Sequence, residues 1–560
     1  MNIAKDPRKI WEEYEKGRSY NMSIDLYKTV EDNENFYTGN QWEGVNAPNM
    51  AKPVLNFLKR VVTYIISVIV SDDIGFAAKC HEESPDRKIM GLAVEKQIEK
   101  IIERTKFKKK LRTIIRNAAV DGDGCMFVRF DPNIDTGQTA QGDIVCEVIE
   151  NINVIFGNPY TNEVQEQPYI ILAQRQTVAE LKEEARNCGT PEADVQMIVS
   201  DSDSHQMEKG ETDILATKLT KLWKENGTVW VSVTTQGATV RQPFDTGYRL
   251  YPVCWMPYEE QKSSYHGRAV ISGLIPNQIE VNRLMAAYMA SVQTNAFPKI
   301  VFNEDKIKKW TTKPGAAIGV KGLGVSRVQD WVTSIRGGDV SYQVMDVIEN
   351  LVSMTRDFMG ANDAALGNVK PDNTSAIIAV QQGATMPLQL QRQAMYQFVE
   401  DFIRVCLDIM RADYGVRETT FDEAIKRPML NAYGRPILDA MGMPVIEEVT
   451  MATVDYSEFN DVNYALNVEV GAGSYFSELL QMQTMDNLFS MGIVTDVVMY
   501  LESVPSKYLP NKAKLVAAAK EKQEQMEAMA QQQMMATTPA TPQENLEAEV
   551  AAARQQIIGG

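Results

Sequence analysis

A chain of 560 residues with 44% hydrophobic content can bury several domain-sized cores, and its 57 basic against 74 acidic side chains leave a net charge of −17. That balance speaks against a protein gripping nucleic acid through a charge-neutralising surface, yet it suits one that lets nucleic acid pass, because like charge repels phosphate. Six scattered cysteines without C-x-x-C spacing and only three histidines, His81, His205 and His266, argue against a disulfide framework, a zinc site and histidine-based catalysis. The cysteines read as reduced core residues.

The first 20 residues are charged and carry no apolar h-region, so they do not read as a signal peptide. Three- and four-residue spacing of Trp11, Tyr14, Leu26 and Tyr27 predicts helix up to Gly39. The longest apolar run, 54–70, contains Lys59 and Arg60 and leaves about ten uninterrupted apolar residues, half of what a bilayer span needs. It predicts a buried amphipathic helix, with Pro53 in its first turn. A second long helical stretch, with the stripe Leu92, Ile98, Ile101, Ile102, Leu111, Ile114 and Ile115, runs to Gly122 and Gly124. Strands are predicted in CMFVRFDP, DIVCEVIE, ILAQRQTV, LWKENGTVWVSVTTQGATVR and YPVCWMPY.

From about residue 266 the pattern changes. Pro276 opens a helix whose Leu274, Val281, Met285, Tyr288 and Val292 share one face. Residues 297–338 read as a short α/β excursion, and VSYQVMDVIENLVSMTRDFMG as a second helix. ANDAALGNVKPDNT, 361–374, is a polar loop. A long helix follows to about 413, kinked at Pro387, with Met395, Phe398, Phe402, Val405 and Ile409 on one face. Residues 414–470 are mixed, with a hairpin around NAYGRP and DAMGMP; helix returns from Ser474 to about 535, and a low-complexity tail closes the chain.

Motifs for chemistry are few. DGDG, 121–124, fails as a calcium loop because Cys125 and Pro132 stand where oxygen ligands belong, and reads as a helix-to-strand turn. No G-x-x-x-x-G-K-[ST] and no G-x-S-x-G occurs, and GVKGLG at 319–324 matches no dinucleotide fingerprint. No catalytic residues, metal or cofactor are expected, and the chain is not read as an enzyme. KFKKKLR, 106–112, reads as a solvated face or subunit contact, with phosphate binding as its alternative.

The order of parts from about residue 10 to 530 resembles the portal protein of tailed bacteriophages, above all portals of short-tailed phages. The stretches that carry the likeness are AKPVLNFLKRVVTYIISVIVSDD, RNAAVDGDGCMFVRFDP, ENINVIFGNPYTNEV and the passage from YPVCWMPYEEQ to AFPKIVF. The resemblance implies an α+β, predominantly helical subunit of a dodecameric homo-oligomeric ring with wing, stem, clip and crown regions. Such a ring is a structural protein of the virion, assembled in the host bacterial cytoplasm and set at one capsid vertex as head–tail connector. Double-stranded DNA is packaged and ejected through its channel.

By the same resemblance, 1–265 is the wing, 266–296 and 339–360 are the stem helices, and 297–338 is the clip. Residues 361–374 are the tunnel loop, 375–413 the long kinked helix, 414–473 the return to the wing, 474–535 the crown and 536–560 the tail. Lys306, Lys308, Lys309, Trp310 and Lys313 would meet terminase or the tail adaptor. Asn362, Asp363, Asn368, Lys370, Asp372 and Asn373 would face the DNA. Major capsid or scaffolding protein is a further implied partner, and a membrane is not. A non-viral helical scaffold, a membrane-associated structural protein using 54–70, and a carboxylate-dependent nuclease of the packaging machinery remain as alternatives.

Overall fold

The computed structural model describes residues 4–48, 50–70, 77–80, 85–201, 215–296, 299–305, 307, 311, 327–335, 343–361, 386–429, 437, 445–457, 464–467 and 497–503, and scattered further positions between 485 and 522. The chain divides into two compact units, 1–470 and 471–560. Both helix and strand are well represented, as an α+β chain requires.

Helix α1 (Pro7–Ser23) starts where Asp6 accepts a bond from the Arg8 N–H and Pro7 supplies a preset φ. The helix expected to run on to Gly39 breaks at Asp25, which takes a left-handed φ of 54°, and resumes as α2 (Leu26–Thr38). α3 (Phe57–Val70) is the buried amphipathic helix foreseen, with Leu58, Val61, Val62, Ile65, Ile66 and Ile69 inside. It begins four residues after Pro53, so that proline does not open it. Strand β1 (Ala77–Cys80) and helix α4 (Pro85–Arg104) follow. The second long helix also breaks, at Lys106 with φ 52°, before α5 (Phe107–Asp121). Of its proposed stripe, Leu92 is exposed rather than buried.

Gly122 ends α5 at φ 104°, a conformation in which a Cβ would also meet the Gly267 carbonyl. β2 (Asp123–Asp131) starts at once and pairs with β3 (Asp143–Ile149) and, on its other side, with β9 (Val253–Pro257). Five antiparallel strands make a second sheet in sequence order: β4 (Val154–Phe156), β5 (Tyr169–Thr177), β6 (Leu215–Glu225), β7 (Thr228–Thr234) and β8 (Thr239–Asp245). Between β5 and β6 lie α6 (Val178–Asn187), begun by a Thr177–Glu180 capping box, and α7 (Glu192–Gln196).

Period-two alternation gives the five-stranded sheet two apolar faces. Ile170 and Leu172 point into the main core, while Ile171 and Ala173 meet Ile10, Trp11 and Tyr14 of α1. Lys221, wholly buried on β6, reaches the Glu13 carboxylate and the Ala4 carbonyl and so straps the N-terminal arm down. Burial lowers its pKa against the opposing pull of Glu13. The two sheets meet through Phe156, Trp255 and Tyr265, with ring centroids 4.7–5.7 Å apart.

Helix α8 (Val270–Ala296) leads to β10 (Lys299–Phe302), and β11 (Val332–Ile335) leads to α9 (Gln343–Phe358). α8 begins six residues before Pro276, which sits inside it; the ring removes one N–H from the helix without ending it. α10 (Gln389–Asp413) begins two residues after Pro387, which stands in a 3-10 turn, Met386–Leu388. The residues before it, 374–385, over which the kinked helix was expected to begin, lie outside the described residues. Met395, Phe398, Phe402, Val405 and Ile409 are buried as the spacing implied, and Phe402 stacks on Phe107 at 4.3 Å. The hairpin of the 414–470 region is β12 (Val416–Pro428) against β13 (Ile446–Asp455), and β14 (Tyr464–Asn467) pairs with β1. In the second unit, α11 (Val497–Ser503) places Tyr500 beside Phe489.

Cys125, Cys146, Cys254 and Cys406 are free and buried, and burial pushes each thiol up; Cys188 is exposed, against expectation. Among the described residues no helix is long and apolar enough to cross a membrane.

Candidate functional site: a projecting helical arm and its root

α8 and α9 form an arm. α8 has 27 residues, about 40 Å at the α-helical rise. At its far end β10 and β11 pair antiparallel, Lys299 opposite Ile335 and Phe302 opposite Val332. The chain thus leaves the body on one helix, closes on a two-stranded sheet and returns on the other. Near the body the helices are joined by Asn277, which donates to Thr355 Oγ1 at 3.0 Å.

Burial fades along α8. Leu274 and Val281 are buried, Met285 and Tyr288 are half-buried, and Val292 is exposed. α9 buries Ile348 and Thr355 and leaves Val347, Met354 and Phe358 in solvent, Phe358 at 82%. At steps of seven and four these three fall on one face of α9 as an exposed apolar stripe. Sequence reasoning missed this second stripe, although its seven- and four-residue steps were there to be counted.

The root of the arm is polar and buried. Gln278 donates to the Leu55 carbonyl at 2.8 Å and to Asn282, which donates to Gln41 at 2.6 Å. Asn33 donates to the Val120 carbonyl and to Ser272. Just before α8, Asp123 accepts from the Gly267 N–H at 2.6 Å; its other oxygen lies 2.7 Å from His266 Nδ1 and 3.3 Å from Asn151 Nδ2. His266 Nε2 lies 3.2 Å from Asn21 Oδ1. Directional bonds of this sort fix the orientation of an element where apolar packing alone would let it slide. Two turns of sequence meet here, DGDG and HG, and nothing in either predicted the other.

Asp121 stands beside this network. Burial pushes its carboxyl up to about 7, with Arg116 at 3.9 Å opposing and Glu34, Glu150 and Asp123 adding to the rise. Among the described residues no group of three or more His, Cys, Asp or Glu side chains is placed to hold a metal ion. Lys306, Lys308, Lys309, Trp310 and Lys313, and Asn362, Asp363, Asn368, Lys370, Asp372 and Asn373, lie outside the described residues, as do His81 and His205. The described part of the connection between β10 and β11 includes two buried side chains, Ile307 and Trp331. No protein-family model matches the sequence, and no curated protein is significantly similar to it.

Proposed function

We propose that the chain is the subunit of a portal ring, the channel at one capsid vertex through which double-stranded DNA enters and leaves. The observation that carries this reading is the arm: an outgoing helix, a two-stranded tip and a returning helix with apolar residues left uncovered. In a closed ring each subunit presents one side of its arm to the next, a heterologous contact that repeats until the rotation closes. Val347, Met354 and Phe358 are then buried between neighbours. The tip serves as clip, the site for terminase and later the tail adaptor, and the chain between α9 and α10 faces the DNA. The acidic balance of the subunit favours sliding over gripping.

Negative-stain microscopy beside the mass in solution tests the reading. A ring with a central hole and a mass near twelve times 62.8 kDa is the expected result. A chain that stays monomeric on concentration sinks it. Phe358→Asp is expected to abolish the ring while leaving the circular dichroism and melting of the subunit unchanged, since Phe358 contributes little to the subunit's own core. Lys370→Ala is expected to impair DNA packaging or retention more than ring assembly, read as packaged DNA per assembled particle. Failure of those rings to form would assign Lys370 to assembly instead.

A further inference from the structure

The basic run 106–112 does not form a uniform solvated face. It starts α5 alongside the last residue of α4, and one side of it lines a groove of about 540 Å³. Arg104, Lys106, Lys109, Lys110 and Thr113 make one wall; Ile134, Ile144 and Val145 supply an apolar floor. Lys106, Lys109, Lys110 and Thr113 follow one another at helical steps of three, one and three, so they share a side of α5.

The cations divide into two kinds. Arg104 pairs with Asp143 at 2.8 Å and donates to the Ile144 carbonyl. Lys110 donates to the Cys146 carbonyl at 2.6 Å. Both carbonyls belong to β3, one of the two edge strands of its sheet. These two side chains therefore have structural work. Lys106 and Lys109 are exposed, and among the described residues neither they nor Lys110 has an ion-pair partner. In a chain of net charge −17 three unneutralised ammonium groups around one concavity are a local reversal of sign. A second cavity among the described residues, near 490 Å³, lacks that bias: its Arg175 pairs with Asp201, and it mixes Arg18 with Glu31, Glu34 and Glu43.

We propose that this groove binds phosphate oxyanions, with Lys106 and Lys109 as the recognition residues and Lys110 adding charge from behind. The ligand class is a phosphate-bearing chain, either the backbone of double-stranded DNA or a soluble polyphosphate. Lys106 and Lys109 stand three residues apart, about 4.5 Å along the helix axis, so both can reach one phosphate-bearing chain. This site lies on α5, outside the arm, and does not depend on the ring.

The test uses the full chain and a fluorescent 20-base-pair duplex, with inorganic tripolyphosphate and polyglutamate as competitors. Lys106→Glu/Lys109→Glu is the variant; both side chains are exposed and neither caps β3, so its melting temperature should match wild type. Binding of the duplex that tripolyphosphate displaces, weakened about tenfold or more in the variant and with a salt slope reduced by about two, assigns the DNA backbone. Tripolyphosphate binding without duplex binding, lost in the variant, assigns a soluble polyphosphate. Absence of both, binding unchanged in the variant, or competition by polyglutamate equal to that by tripolyphosphate overturns the proposal. The ring reading stands or falls on microscopy, separately from any of these results.

Discussion

Asp123→Ala is expected to lower the stability of the first unit by about 3–5 kcal/mol, the range for removing one partner from a buried charged network. Asp123 is fully buried, and three donors converge on it: the Gly267 N–H, His266 and Asn151. Alanine strips the Gly267 N–H and His266 Nδ1 of this acceptor in a place water does not reach, while Asn151 Nδ2 keeps the Asp121 carbonyl at 3.0 Å. Asp123→Asn retains one acceptor but turns a donor toward donors, so its loss should be smaller and still measurable. Urea unfolding at pH 7 checks both. Trp255, whose ring centroid lies 5.7 Å from that of His266, gives a local fluorescence signal for the same event. A loss below about 1 kcal/mol for the alanine variant would mean that the site is solvated and the network ornamental. Because Gly267 stands three residues before α8, the same variant should loosen the arm, read as faster amide exchange from residue 270 onward.

The second large effect concerns pH. Asp121 is held near 7 in the folded chain, first by burial and then by Glu34, Glu150 and Asp123, against an unfolded value near 4. The folded state thus binds a proton more tightly than the unfolded state between those values. Stability therefore falls as pH rises from about 4 to about 7, and the full penalty is present above 7. Three units correspond to about 4 kcal/mol at most. Asp121→Asn should remove that penalty. The variant should be more stable than wild type at pH 8, by an amount that shrinks to nothing near pH 4. Equal stability of the two proteins at pH 8 would show that Arg116 neutralises Asp121 fully, and the raised value would be wrong.

The helices that bury a strong stripe were legible from spacing alone. Leu58 to Ile69 and Met395 to Ile409 recur at three and four residues, and the core holds them as expected. Strands were legible where β-branched residues alternate, as in β7, whose Val229, Val231 and Val233 recur at every second position. Breaks were not. Asp25 and Lys106 adopt positive φ without being glycine, so the apolar period crosses them undisturbed and only tertiary packing shows the bend. Pro276 misled in the opposite direction, since a proline suggests a helix start and here lies within one. The polar root escaped because its members are 245 residues apart in the extreme case, Asn21 and His266, and single polar residues carry no period. The groove was half visible: the sequence showed its charge, but its floor comes from residues 134–145, brought up by the β2–β3 pairing.

An edge strand with free carbonyls offers a template on which another chain can lay a strand of its own. On β3 the two carbonyls at Ile144 and Cys146 already receive N–H groups from Arg104 and Lys110. A newly made chain, crowded among identical copies during synthesis, is therefore guarded there against zipping into a shared sheet. Truncating Arg104 or Lys110 would reopen the template, and the harm would be seen in solubility during synthesis before it was seen in the finished fold.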